Sequence, residues 1–185
     1  MKKQSIIKAD LYRYKDEVSS FSIFKGLIVP GFRYVYFLRK SSFYSNKTIA
    51  GLFYRFMLLV HSYFYGFQIN PSTKIGRGLY IGHRGTIIIN SKVIIGECCN
   101  LSPGVTIGQT NRGIKKGTPV IGSKVWIGTN AVLVGSISIG DNVLIAPNAY
   151  VNIDIPANSI VIGNPAKIIS KEDPTAGYIL SCPEV

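Results

Sequence analysis

The sequence predicts an all-β solenoid of the three-sided β-helix kind, preceded by an α-helical unit, and three observations predict it. An aliphatic residue returns every sixth position from Ile69 to about Lys167. Glycine or another small residue usually follows it, as in "IGRGLY", "IGHRGT", "IGSKVW", "IGTNAV" and "IGDNVL". The residues before Ile69 lack the period and hold all nine phenylalanines. A period of six headed by Ile-Gly marks the hexapeptide β-helix repeat, in which short strands form the three faces of a prism. A sandwich with regular turns would instead space its strands by roughly 8–12 residues.

Each hexad supplies one strand and one corner, so its first residue points into the prism and stacks on its equivalent a coil away. A first register holds Ile69, Ile75, Ile81, Ile87 and Val93, and a second, reset by two residues, holds Ile95, Leu101 and Ile107. After an interruption a third holds Ile121, Ile127, Leu133, Ile139, Ile145 and Val151. The fifth position also turns inward, and in the third register it reads Val125, Ala131, Ile137, Val143, Ala149 and Ile155. Gly122, Gly128, Asn130, Gly140, Asn142 and Asn148 suit corners that need positive φ.

Residues 1–68 form the helical unit. Apolar residues recur at three and four (Ile7, Leu11, Tyr14; Phe53, Phe56, Met57, Val60, Phe64), which argues for amphipathic helices broken near Pro30-Gly31 and Ser41-Ser42. Such helices serve as the cap that a terminal coil needs. The same unit carries eleven Lys/Arg, Lys2 and Lys3 among them, against Asp10, Asp16 and Glu17. Cations interleaved with aromatics also suit peripheral contact with an anionic membrane. Residues 69–168 form the prism, and the step from Ile107 to Ile121 throws out a basic, glycine-rich loop, residues 109–120. The tail, residues 169–185, leaves the period and should run over the outside or be partly disordered.

With 185 residues, 46% hydrophobic content and a net charge of +12, the chain has room for one core plus an appendage and favours acidic partners. No nucleic-acid-binding motif accompanies the charge. Cys98, Cys99 and Cys182 are odd in number and lack CxxC or His-rich spacing, so they read as reduced thiols of a cytoplasmic protein. The N-terminus meets Asp10 before any apolar run long enough for a signal peptide. The greasiest stretch, Ile49 to Phe67, is interrupted by Arg55 and His61, which argues against a spanning helix.

Two histidines limit the chemistry. A three-histidine metal site cannot be built from them, so no metal is expected. His61, amid aromatics, reads as a packing residue. His83 is third in its hexad and points outward, where a neutral imidazole can take a proton as a general base.

The stretches "INPSTKIGRGLYIGHRGTIIIN", "GVTIGQTNRG", "VIGSKVWIGTNAVLVGSISIGDN" and "IPANSIVIGNPAKII" resemble the hexapeptide acyltransferases, closest to the serine acetyltransferase branch and within it to those of capsular and colanic-acid polysaccharide loci. "IKADLYRY" is similar to that branch as well. The resemblance implies a left-handed parallel β-helix, a homotrimer, and acetyl-CoA lying in the groove between neighbours. It makes His83 the catalytic base and places Gln109, Thr110, Gly128, Thr129, Ala146, Pro147 and Lys167 along the cofactor. Serine acetyltransferases carry an Asp fifteen residues before the catalytic histidine, another directly before it, and a second histidine before a proline. Here those positions are Gln68, Gly82 and Thr118. With the groups that grip serine replaced, Gln68, Asn70 and Thr118 are expected to orient His83 or meet a neutral acceptor, a sugar hydroxyl of a capsular or exopolysaccharide or its lipid-linked precursor. The alternatives are a serine O-acetyltransferase, a sugar N-acetyltransferase and a non-catalytic scaffold.

Overall fold

The computed structural model describes residues 3–17 and 22–182. Lys2 and residues 183–185 of the tail lie outside them. From Phe67 onward the chain winds as a three-faced parallel β-helix. The first face stacks β1 (Phe67–Ile69), β4 (Ile87–Ile89), β7 (Thr106–Gly108), β10 (Val132–Val134) and β13 (Tyr150–Val151) in that order. The second stacks β2 (Lys74–Ile75), β5 (Ile94–Ile95), β8 (Val120–Ile121) and β11 (Ser138–Ile139). The third stacks β3 (Tyr80–Ile81), β6 (Asn100–Leu101), β9 (Val125–Ile127), β12 (Val143–Ile145) and β14 (Ser159–Ile162), closed by antiparallel β15 (Lys167–Ser170).

The residues at the heads of the hexads are buried, with Ile75 only partly so, and the fifth positions from Val125 to Ile155 are buried too. Burial of so many Ile, Val and Leu side chains is what holds two- and three-residue strands in register, since each stacks on its equivalent a coil away.

At the corners, glycine and asparagine divide the work differently from expectation. Asn130, Asn142 and Asn148 do adopt positive φ, as do Lys124 and Cys98. Gly122, Gly128 and Gly140 do not; they are required by close approach instead. A Cβ on Gly96 would lie 2.5 Å from the Gly122 carbonyl, and one on Gly128 would lie 2.6 Å from Pro147 N. Successive coils touch through bare backbone there.

Ahead of the prism lie α1 (Lys3–Tyr12), α2 (Ile23–Gly26), α3 (Pro30–Phe43) and α4 (Ile49–Tyr65). The first coil has no coil beneath it, and helix side chains satisfy its open backbone. Asp10 accepts from Leu79 N at 3.0 Å, Tyr14 Oη accepts from Ile81 N at 2.9 Å, and Arg39 donates to the carbonyls of Ile75 and Gly76 at 2.7 and 2.5 Å. Asp10 and Arg39 form a buried ion pair at 2.8 Å, joining α1, α3 and the prism at one point. Burial pushes the Asp10 carboxyl above its ordinary value, with Arg39 opposing.

Helix α4 turns most of the apolar residues singled out by their spacing outward, with Met57 packed against the core. Phe53, Phe56 and Phe64 face outward, 54%, 62% and 79% exposed, while Gly51, Leu58, His61 and Tyr65 are buried. The helix is apolar on both faces, so spacing alone does not choose the inner one. His61 is a packing residue, stacked on Phe37 at 4.8 Å between centroids, with Nδ1 donating to Met57 O at 2.6 Å. Thr48 caps the start of α4 by accepting from Gly51 N, and Gly66 ends it in the left-handed region at φ 77°.

The cysteines also depart from expectation. Cys98 and Cys182 form a disulfide, while Cys99 is free and buried. They are 84 residues apart in sequence, and only the return of the tail along the third face brings them together. That return is held by Tyr178 packed on Trp126 at 4.9 Å, by Asn100 Nδ2 donating to Tyr178 O at 3.0 Å, and by Thr175 Oγ1 to Asn142 Oδ1 at 2.6 Å. With the disulfide formed, the cysteines no longer argue for a reducing compartment. Among the described residues no helix is long and apolar enough to cross a membrane.

Candidate active site

His83 lies on the corner between β3 and β4, on the edge where the third face meets the first, and its side chain is exposed. The corner is fixed from both sides. Gly85 N donates to Tyr65 O at 3.2 Å and Gly104 N to Thr86 O at 2.6 Å, while the Arg84 guanidinium sits 5.6 Å from the Tyr65 ring centroid. Gly85, at φ 140°, has no space for a Cβ, which would fall 2.8 Å from the Pro103 ring. The end of α4 and the next coil thus hold the imidazole out to solvent on a rigid turn.

Gly128 and Thr129 lie on the same edge two coils up, and Ala146 and Pro147 lie three coils up. At ~4.8 Å per coil these stand about 10 and 14 Å above His83. Thr129 and Pro147 are exposed. The glycine and alanine leave the edge bare of large side chains, which suits an extended, narrow chain laid along it.

Most of the remaining candidates are elsewhere. Asn70, Gln109, Thr110 and Thr118 lie on the next edge, between the first and second faces. Asn70 Oδ1 accepts from Ser72 N at 2.9 Å and Ser72 Oγ at 2.8 Å, and Asn90 repeats the first of these contacts with Lys92 N one coil up. Asn70 is therefore committed to a turn. Gln109 and Thr110 open the extruded loop, whose stem pairs Thr110 with Gly117 in both directions at 3.0 Å. Thr118 Oγ1 donates to Lys92 O at 3.3 Å at its foot. The loop is pinned to the prism by Lys115 Nζ on Asp154 at 2.7 Å and by Ser136 N on Lys115 O at 2.9 Å. Lys167 is exposed at the head of β15, where it pairs with Ile162 one coil above Ala146, at the top of the His83 edge.

Gln68, exposed in β1, opens into a groove of about 640 Å³ between α4 and the first face, lined among others by Arg55, Leu58, Ser62, Asn70, Ile88 and Asn90. No hydrogen bond joins Gln68 to His83 among the described residues. Sequence reasoning missed the contribution of Arg55 and Ser62 to this groove; a cation interrupting an otherwise apolar helix was the one available signal.

The geometry agrees with what comparison with known proteins finds. Residues 118–152 match the family model for bacterial transferase hexapeptide (six repeats). The chain is 34% identical over 152 residues to a serine acetyltransferase of Helicobacter pylori, covering 79% of this chain and 85% of that protein. The chain belongs to the serine acetyltransferase family. A Staphylococcus aureus serine acetyltransferase is also 34% identical, over 118 residues, 64% of this chain and 55% of its own. Among solved structures, a Neisseria gonorrhoeae serine acetyltransferase in complex with serine superposes with a TM-score of 0.72 at 28% identity, covering 91% of this chain and 69% of that one. A Brucella abortus serine acetyltransferase in complex with coenzyme A superposes with a TM-score of 0.76 at 24% identity, covering 91% and 68%, which bears on the fold alone.

These relatives overturn the expectation of a polysaccharide O-acetyltransferase with a saccharide acceptor. The replaced carboxylates at positions 68 and 82 and the Thr at 118 had carried that expectation, and it fails because the likeness that spans most of two chains is to serine acetyltransferases. Of the alternatives weighed, the serine acetyltransferase is the one supported.

Proposed function

We propose that the protein transfers the acetyl group of acetyl-CoA to the hydroxyl of serine, with His83 as the general base. The observation that carries this is the 34% identity to the Helicobacter pylori enzyme across 85% of its length, joined to an outward histidine on a bare prism edge. The acetyl donor is acetyl-CoA, as for the family. His83 takes the hydroxyl proton as the oxygen attacks the thioester carbonyl. The tetrahedral intermediate, its oxyanion held by backbone N–H groups, then expels the thiolate, which receives the proton from the imidazolium. No covalent enzyme intermediate is needed. Burial pushes the Cys99 thiol up to about 12, so it is no nucleophile at neutral pH.

We place the acceptor beside His83, and the pantetheine arm along Gly128, Thr129, Ala146 and Pro147. Gln109, Thr110 and Thr118 are a face-width away in the same chain, so they serve the site of a neighbouring copy. A trimer brings one copy's loop edge to another's His83 edge. Ile88, Ile94 and Val120, apolar and exposed on the first two faces, are the surface such a neighbour would cover. A compartment supplied with acetyl-CoA is required, which suits the cytoplasm.

The test is coenzyme A release with L-serine, with amino sugars and with neutral sugars. Serine-dependent release is expected, and His83→Ala should lower it by roughly 10²–10⁴-fold with native folding. Wild-type protein that releases coenzyme A no faster with serine than without it sinks the assignment.

A further inference from the structure

We propose that α4 lays its outer face on an anionic bilayer, making the protein a peripheral membrane protein. The proposal does not depend on the acceptor. Ile49, Leu52, Phe53, Phe56, Leu59 and Phe64 form a continuous outward stripe, from 54% to 90% exposed, and Tyr63 among them is 83% exposed. On a 17-residue helix the stripe runs about 25 Å. A stripe of this length is far beyond the scattered apolar residues of an ordinary surface.

Charge decides what covers it. Between Glu17 and Glu97 the chain contains ten Lys/Arg and no acidic residue. Of these, Arg39 is spent on Asp10 and Arg77 on Glu97. Exposed Lys47 stands just before the head of α4, and exposed Arg84 lies over Tyr65 at its tail. A second copy would bring two such basic surfaces together, at a repulsive cost that an anionic surface converts to attraction. Nucleic acid would leave the aliphatic and phenyl groups uncovered. An interface of anionic headgroups over acyl chains meets both demands, with phenyl rings entering the acyl boundary and Tyr63 keeping its hydroxyl at headgroup level. The inner face of α4 is packed on α3 and β1, so the helix needs no polar face of its own; the protein body supplies it.

The experiment is flotation of the full chain with vesicles of phosphatidylcholine alone and of phosphatidylcholine with phosphatidylglycerol. Binding to the anionic vesicles is expected, weakening as salt is raised. Phe56→Ser with Phe64→Ser should reduce it by ~10-fold or more, and Lys47→Glu should reduce it less, with coenzyme A release unchanged as the sign of an intact fold. Wild-type protein that stays with neither vesicle, or a double variant that floats as well as wild type, overturns the proposal. So does wild-type protein that fails to float and whose oligomer mass drops in the double variant, which would assign the stripe to a second copy.

Discussion

Cys99 shows how position in the prism sets the chemistry of one side chain. It is fully buried, and loss of water disfavours its thiolate, so the thiol is pushed up to about 12 from an ordinary 9.0. The sign follows from linkage. The folded state holds the proton more tightly than the unfolded state, so stability falls as pH rises past 9 and continues falling toward 12. At pH 8 the thiol is inert. A maleimide count should therefore find no reactive thiol in the native protein, one after unfolding without reductant, and three after unfolding with reductant. Three thiols without reductant would mean that Cys98 and Cys182 are not joined.

The extruded loop is the element where pH acts through a named contact. Hydrogen bonds from Lys115 and from Ser138 N hold the Asp154 carboxyl below its ordinary range. A lowered carboxyl contributes to anchoring above its unfolded value of 3.8, and the contribution is lost as pH falls through the folded one. At neutral pH Asp154→Asn should speed proteolytic cutting within residues 111–116, and the difference from wild type should shrink below about 3.8 and vanish only under the lowered folded value, where an acid-active protease reads it. Equal cutting at pH 7 would mean that the carboxylate holds nothing. Elements also show what the sequence could convey. The prism was legible because each hexad repeats the same demand, one large aliphatic inward and no side chain where coils touch, so errors in one coil are corrected by the next. Helix α4 was not, because it is a single copy with apolar residues all round: nothing local distinguishes the face of Leu58 and Tyr65 from that of Phe56 and Phe64. The turn role of Asn70 was likewise hidden until its side chain was seen to accept from Ser72.

At the scale of the whole molecule, one buried ion pair holds the cap, and the spacing of two prism edges bears on the proposed assembly. Asp10 and Arg39 tie α1 and α3 to the first coil, so losing one partner leaves an uncompensated charge costing about 3–5 kcal/mol, and apolar replacement of both would still strand Leu79 N and the carbonyls of Ile75 and Gly76. The prism that they cap carries its His83 edge and its loop edge on opposite sides of the first face, and no bend of a packed solenoid brings them together. On the proposed assignment of both edges to one site, a second copy completes it, and mixing tests this directly. One variant carries His83→Ala; another has residues 111–116 replaced by a short Gly-Ser linker. Each alone should be nearly inactive. Unfolded together in equal amounts and refolded, they form trimers in which a site works when the histidine comes from the loop variant and the loop from the histidine variant. Those two independent halves give about a quarter of the sites, hence about 25% of wild-type turnover, in a cyclic assembly. A mixture no more active than its parts would place both halves in one chain, and the single-chain geometry would then have to change on binding acetyl-CoA.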